Sequence, residues 1–284
     1  MNRGDKIGIV CCSNGQKREY SRDIEGLAEV LESMGLHPVF SNYIYAREDV
    51  FGGTARERAQ ALMDFYRDDE IEGIFDISGG DIANGILPYL DYGVIADSRK
   101  MFWGYSDLTA VINAIYAKTG RPSVLYQVRN LIYDQGERQR RDFANTVMNH
   151  GNDLFSIDAH LIQGGKMHGI VAGGNIRCFL KLAGTEYMPD LRDKVLLLES
   201  RGGRAPQIET YLCQLEQLGA FRMVSGILLG TFTQMQAETP LLSVEGLVRK
   251  FVGKNMPIAV TSQIGHGTGA RGIVIGQEIT VQTG

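Results

Sequence analysis

The chain has 284 residues, with 29 Lys plus Arg against 33 Asp plus Glu and a formal net charge of −4. The densest basic cluster is only Arg138-Gln139-Arg140-Arg141, which reads as a solvated helix face, so a nucleic-acid partner is not expected. No apolar run approaches a membrane span and no charged–apolar–cleavage pattern precedes Ile7, so neither a membrane partner nor a secretory leader is expected, and the reading is cytoplasmic.

The length suits one large or two modest domains. From the N-terminus, Ile7–Val10 reads as a strand. Ile24, Leu27, Val30, Leu31 and Met34 then recur at helical spacing, with Gly35 as a stop. Thr54-Ala55-Arg56-Glu57 is a capping box for a helix that buries Ala59, Leu62, Met63 and Tyr66. Residues 73–78 and 101–104 are further strands. Leu108, Val111, Ile112 and Ile115 mark a helix, 123–127 a short strand, and 133–152 a polar helix. Gly164-Gly165 and Gly173-Gly174 read as turns. Beyond them come strands at 194–198, 225–229 and 258–261, and a helix through Ile208, Leu212 and Leu215 that stops at Gly219. Residues 273–281 read as a closing hairpin. The alternation predicts a two-domain α/β protein. Residues 1–155 would form a largely parallel sheet flanked by helices, and 156–284 a smaller mixed α/β domain, with the boundary falling near 150–165.

Cys11, Cys12, Cys178 and Cys213 show no Cys-x-x-Cys or Cys/His metal spacing, which predicts reduced thiols, no metal and no cofactor.

Three positions suggest acyl-transfer chemistry. The segment Ser78-Gly79-Gly80-Asp81-Ile82-Ala83-Asn84-Gly85 reads as a strand end, a sharp glycine turn and a helix start. Nucleophilic hydrolases carry their serine on such a turn, yet the expected position holds Ala83, whose methyl group cannot attack a carbonyl. Backbone N–H groups near Gly80 and Asn84 are candidate oxyanion donors. The same turn also reads as an ordinary connection or a phosphate loop, although neither Gly-x-Gly-x-x-Gly nor a P-loop pattern occurs. Glu199 ends the apolar run Val195–Leu198, placed to orient a histidine or to pair with Arg201 or Arg204. His266 lies between Gly265 and Gly267, a setting for an accessible general base that His37, His150, His160 and His168 lack. The order nucleophile, acid, histidine is that of the α/β-hydrolases, but triads arise on unrelated folds.

A second strand-to-helix turn is Gly104-Tyr105-Ser106-Asp107. Ser106 reads as a nucleophile or as a helix N-cap, and Asp107 in the first turn favours the cap. Trp103 reads as core or as a stacking platform for a nucleobase. Arg201 and Arg204 are candidate cations for a substrate carboxylate.

Together these residues resemble the LD-carboxypeptidases, a family of serine peptidases that includes muramoyl-tetrapeptide carboxypeptidases and microcin C immunity hydrolases. The resemblance spans nearly the whole chain: Gly4–Val10, Ala55–Ala59, Gly79-Gly80-x-x-Ala83-Asn84 with Leu87–Asp91, Gly104–Ala110, Gly173-Gly174-Asn175, Leu196–Glu199 and Gly265-His266-Gly267. It implies two α/β domains with the site between them, a homodimer, metal-free cleavage of an amide near a peptide C-terminus, and a Ser-Glu-His triad. It places the nucleophile on Ala83, the acid on Glu199 and the base on His266, which implies a chain inactivated at position 83. Ser106 then becomes structural or substrate-side. Two alternatives stay open: hydrolysis of a peptidyl-aminoacyl nucleotide, and a catalytically silent peptide-binding protein. Ser78 stands where many members have Arg, and the stretch 200–206 lacks the usual acidic character.

Overall fold

The computed structural model describes residues 1–283. Two six-stranded sheets divide the chain. The first contains β1 (Lys6–Val10), β2 (His37–Phe40), β3 (Ile71–Asp76), β4 (Met101–Gly104) and β5 (Ser123–Leu125). The second contains β6 (His160–Gln163), β7 (Lys166–Asn175), β8 (Lys194–Ser200), β9 (Gly226–Phe232) and β10 (Ile258–Val260). Of the last two strands, β11 (Ile273–Ile275) joins the first sheet and β12 (Glu278–Gln282) the second. The orders are β11-β5-β4-β3-β1-β2 and β12-β7-β8-β9-β10-β6. β1–β5 pair in parallel, as do β7–β10, while β6, β11 and β12 run antiparallel at the edges.

The parallel strands are apolar because helices cover both faces. Ile7, Ile9 and Val195–Leu198 are wholly buried. The helix 21–33 turns Ile24, Leu27 and Leu31 onto this core. The helix 55–67 begins with the expected capping box, in which Glu57 N–H donates to Thr54 Oγ1 at 3.2 Å and Thr54 N–H donates to Glu57 Oε2 at 2.8 Å.

The helix 109–119 joins the two halves. It is buried from Thr109 through Ile115 because β5 lies beside it on one side and β7 on the other. Asn113 satisfies the backbone of β7 in both directions, donating to the Gly173 carbonyl at 2.8 Å and accepting from Gly173 N–H at 2.9 Å. Such a buried amide is tolerated because both its donor and its acceptor are paired.

Three expectations are corrected. Residues 273–281 form no hairpin, since β11 pairs with β5 and β12 with β7. One consequence is that a C-terminal strand returns to the N-terminal sheet. Gly173-Gly174 is strand, not turn. A Cβ on Gly174 would stand 2.9 Å from Thr109 Oγ1, so glycine here lets helix 109–119 seat against β7. The segment after Gly79-Gly80 is a 3-10 turn, Ala83–Tyr89, containing Pro88, and not the opening of an α-helix.

Candidate active site

The site is built at the end of β4. Gly104 closes the strand, and a Cβ there would lie 2.7 Å from Leu108 Cβ, so glycine permits the chain to turn this sharply. Tyr105 is still extended, at φ −152°. Ser106 then takes φ +54°, a left-handed conformation that few non-glycine residues adopt. A 3-10 turn and the helix 109–119 follow. A strained serine on a strand-to-helix turn is the geometry of a nucleophile elbow. Among the described residues the Ser106 hydroxyl bonds to no backbone N–H of the following turn. It lies 3.1 Å from His266 Nε2 instead.

His266 comes from a loop beyond β10, and Glu199 from the buried end of β8. His266 Nδ1 is 2.7 Å from Glu199 Oε2. The Glu199 side chain is fully buried and its Oε1 has no partner among the described residues. This carboxylate sets the imidazole: with Nδ1–H donated to Oε2, Nε2 is left as an acceptor facing Ser106 Oγ. The Tyr105 ring packs against the imidazole with centroids 4.6 Å apart, and its hydroxyl donates to the Gly265 carbonyl, which fixes the His266 loop. Burial pushes the Tyr105 hydroxyl far above its ordinary range, so it stays a donor.

The residue after the serine anchors the elbow. Asp107 is fully buried and accepts from Ser13 Oγ at 2.6 Å, from Ala83 N–H at 2.8 Å and from the Lys181 ammonium. The Gly79–Asp81 loop passes beside Ser106, where a Cβ on Gly79 would stand 3.7 Å from Ser106 Cβ. Cations of the second half hold this loop: Arg177 donates to the Gly80 carbonyl at 2.9 Å and Lys181 to the Asp81 carbonyl at 2.7 Å. Gly80 has φ +123°, and a Cβ there would collide with the Asn14 side chain. Its N–H has no partner among the described residues.

Two cavities have Ser106 in their walls. One, of about 470 Å³, is walled by His266, Tyr105, Gln127, Arg129 and Tyr133, with Lys17 at its edge. The other, of about 640 Å³, is walled by Asn175, Arg177, Ser200, Gln207 and Tyr211. Gly80, Ser106 and Arg201 line both.

The structure therefore brings Glu199, His266, Ser106, Gly80 and Arg201 together and leaves four expected residues elsewhere. Ala83 is fully buried in the apolar core of the first half, its N–H held by Asp107, and it lines neither cavity. Asn84 is exposed on the 3-10 turn and lines neither cavity. Trp103 is 5% exposed and stacks on Phe75 and Phe155, with ring centroids 5.1 and 5.8 Å away, so it is core. Arg204 points to Glu238, with Nε 2.8 Å from Oε2, outside both cavities. Residues that sequence reasoning does not single out include Ser13, Asn14, Gln127, Arg129, Arg177 and Lys181, while Asn175 enters only within the Gly173-Gly174-Asn175 motif. The one available signal is Arg177 and Lys181 four apart, on one side of a short helical segment.

Cys11, Cys12, Cys178 and Cys213 are free thiols, and burial pushes the first three far above the ordinary thiol range, which leaves them unreactive.

Comparison with known proteins places the chain in a family and a fold. Residues 7–126 match the LD-carboxypeptidase N-terminal domain and residues 168–281 the LD-carboxypeptidase C-terminal domain. The chain is 25% identical to the probable murein peptide carboxypeptidase of Bacillus subtilis, over 100% of this chain and 90% of that one. It is 27% identical to the microcin C7 self-immunity protein MccF of Escherichia coli, over 90% and 84%. In three dimensions it resembles MccF in complex with glutamyl sulfamoyl guanosine, with a TM-score of 0.89 at 22% identity, covering 99% of this chain and 94% of that one.

Proposed function

Because the chain belongs to the LD-carboxypeptidase family, we propose that it is an active serine carboxypeptidase whose nucleophile is Ser106. The single observation that carries this reading is the unbroken relay Ser106–His266–Glu199, with contacts of 3.1 and 2.7 Å. On this reading Ala83 does not silence the protein, since it is buried in the core and lines neither cavity beside Ser106.

Ser106 Oγ attacks the scissile carbonyl carbon while its proton passes to His266 Nε2. The carbonyl π pair moves onto oxygen, and the N–H groups of Gly80 and Asp107 receive that charge. Glu199 holds the imidazole and stabilises the imidazolium. Collapse of the tetrahedral adduct re-forms the carbonyl, breaks the C–N bond and sends the Nε2 proton to the leaving nitrogen. Water, activated by the now neutral His266, then attacks the acyl-serine, and the acid product leaves with Ser106 regenerated.

The substrate class is a short peptide with an amide near its C-terminus, of the muropeptide kind named for the B. subtilis relative. A second reading has support from the likeness to MccF: the leaving group could carry a nucleoside, with Tyr20 and Tyr133 on the wall of the 470 Å³ cavity as the available aromatic faces in place of Trp103. The test is to assay the parent and Ser106→Ala on an L,D-tetrapeptide ending in D-Ala and on a peptidyl-aminoacyl adenylate analogue, identifying products by mass. Release of D-Ala by the parent alone is the expected result. Cleavage of only the adenylate analogue would move the protein to the second reading. Turnover retained by Ser106→Ala would sink both.

A further inference from the structure

The two cavities beside Ser106 are not equivalent. His266 walls the 470 Å³ cavity and is absent from the wall of the other. Acyl transfer at Ser106, the reading on which the subsite assignment rests, requires that one imidazole nitrogen both take the serine proton and hand it to the departing amine. The departing nitrogen must therefore stand on the imidazole side of Ser106, and whatever is attached to it enters the 470 Å³ cavity.

That cavity, whose wall also carries Asp23, holds a fixed cation that makes no ion pair among the described residues. Arg129 sits on the 3-10 turn 128–132 that follows β5. Its Nη1 donates to Gln16 Oε1 at 3.0 Å, and Gln16 is itself locked, 7% exposed and donating from Nε2 to the Ile77 carbonyl at 2.9 Å. No carboxylate pairs with Arg129 among the described residues, and its buried Nε has no partner. The neighbouring Gln127 Oε1, on the same wall, is also buried and unpaired. Such orphaned groups are uncommon unless something else completes them. The other cations are less suited. Lys17 is largely exposed and lies 3.5 Å from Glu19, and Arg201 lines both cavities, so it does not distinguish them.

We propose that the 470 Å³ cavity is the leaving-group subsite and that Arg129 binds the free carboxylate of the departing amino acid. The guanidinium is oriented before substrate arrives, so little ordering accompanies the charge-assisted bond. Recognition of this carboxylate confines cleavage to the last amide of a chain.

The test uses the full chain carrying Ser106→Ala, with binding measured by calorimetry, so that it does not depend on turnover. The ligands are an L,D-tetrapeptide with a free C-terminal carboxylate and the same peptide as its C-terminal amide. The acid is expected to bind about 10- to 100-fold tighter than the amide. Arg129→Gln should bring that ratio close to one, Arg129→Lys should restore part of it, and Arg201→Gln should leave the ratio in place while weakening both ligands. Circular dichroism of each variant checks that it is folded. No acid preference in the Ser106→Ala chain, or a preference that survives Arg129→Gln, overturns the assignment. Turnover by the serine-bearing chain is measured separately. Cleavage without acid preference would keep the hydrolase reading and sink the subsite. Acid preference lost with Arg129, without any cleavage, would keep the subsite and sink the hydrolase reading.

Discussion

His266 Nε2 and Ser106 Oγ stand 3.1 Å apart although 160 positions separate them in the chain. That contact depends on a backbone conformation serine does not favour, φ +54°. The left-handed region costs a side-chain-bearing residue roughly 1–2 kcal/mol. Glycine relieves this strain but adds freedom to the unfolded chain, worth about 0.4–1 kcal/mol. Ser106→Gly should therefore unfold at a higher denaturant concentration than Ser106→Ala, by about 0.5–1 kcal/mol, with both inactive. A glycine variant no more stable than the alanine variant would mean the turn is not strained.

Ala83→Ser offers a separate test. The position is fully buried among apolar side chains. A hydroxyl added there without a partner costs about 1–3 kcal/mol. The expected outcome is a lowered melting temperature with peptide turnover changed little. A gain of activity by orders of magnitude would return the nucleophile to the Gly79–Ala83 turn.

The contrast between these two positions shows where local sequence stops being informative. Ser106 precedes a helix, and a serine there looks the same whether it caps that helix or turns away from it; the positive φ and the distant imidazole decide which, and neither is local. Glu199 and His266 are easier to single out, because a carboxylate at the end of a wholly apolar strand and a histidine between glycines are unusual settings. The strands read well where both faces are covered, as in Ile7–Val10 and Val195–Leu198. β2 escapes a sequence reading because it is an edge strand with Val39 and Phe40 exposed and Pro38 within it. β7 escapes it because Gly173-Gly174 looks like a turn, although Gly173 lies against the Leu197 backbone of β8 and Gly174 against Thr109 of helix 109–119. Arg129 cannot be read at all, since its significance lies in Gln16, 113 positions away.

Glu199→Gln should separate positioning from binding. The carboxylate accepts from His266 Nδ1 at 2.7 Å. A glutamine that turns its NH₂ towards Nδ1 favours the other tautomer, which puts the proton on Nε2 and leaves nothing to accept from Ser106. A fall in kcat on the order of 10³–10⁴ is expected, with KM little changed. Rapid-quench kinetics would locate the loss in acylation. A variant within a few-fold of the parent would show that the imidazole needs no such partner.

Asp107→Ala removes the hub that ties the elbow to Ser13, Ala83 and Lys181. The Lys181 ammonium, 17% exposed, loses its buried counter-charge. Removing one partner of a buried pair costs about 3–5 kcal/mol, and denaturant unfolding should show a loss of that size. Adding Lys181→Met to Asp107→Ala should recover part of it, because the stranded charge is gone. No recovery would place the cost in the lost N–H and hydroxyl bonds instead.

Asp76 gives the fold a pH dependence of defined sign. It is 1% exposed and accepts from Cys12 N–H at 2.7 Å, Ser78 N–H at 2.7 Å and Ser78 Oγ at 2.5 Å. Burial outweighs these bonds and raises its carboxyl above the ordinary carboxylate range. Between the unfolded value and the raised folded value, the folded chain holds a proton here that the unfolded chain has released. The contribution to stability is therefore complete below the unfolded value and is lost as pH rises through the folded one. In Asp76→Asn that titration is absent. Unfolding free energies of parent and variant, compared from about pH 4 upwards, should show the parent losing stability relative to the variant as pH rises. The opposite slope would mean that the three hydrogen bonds hold Asp76 ionised in spite of its burial.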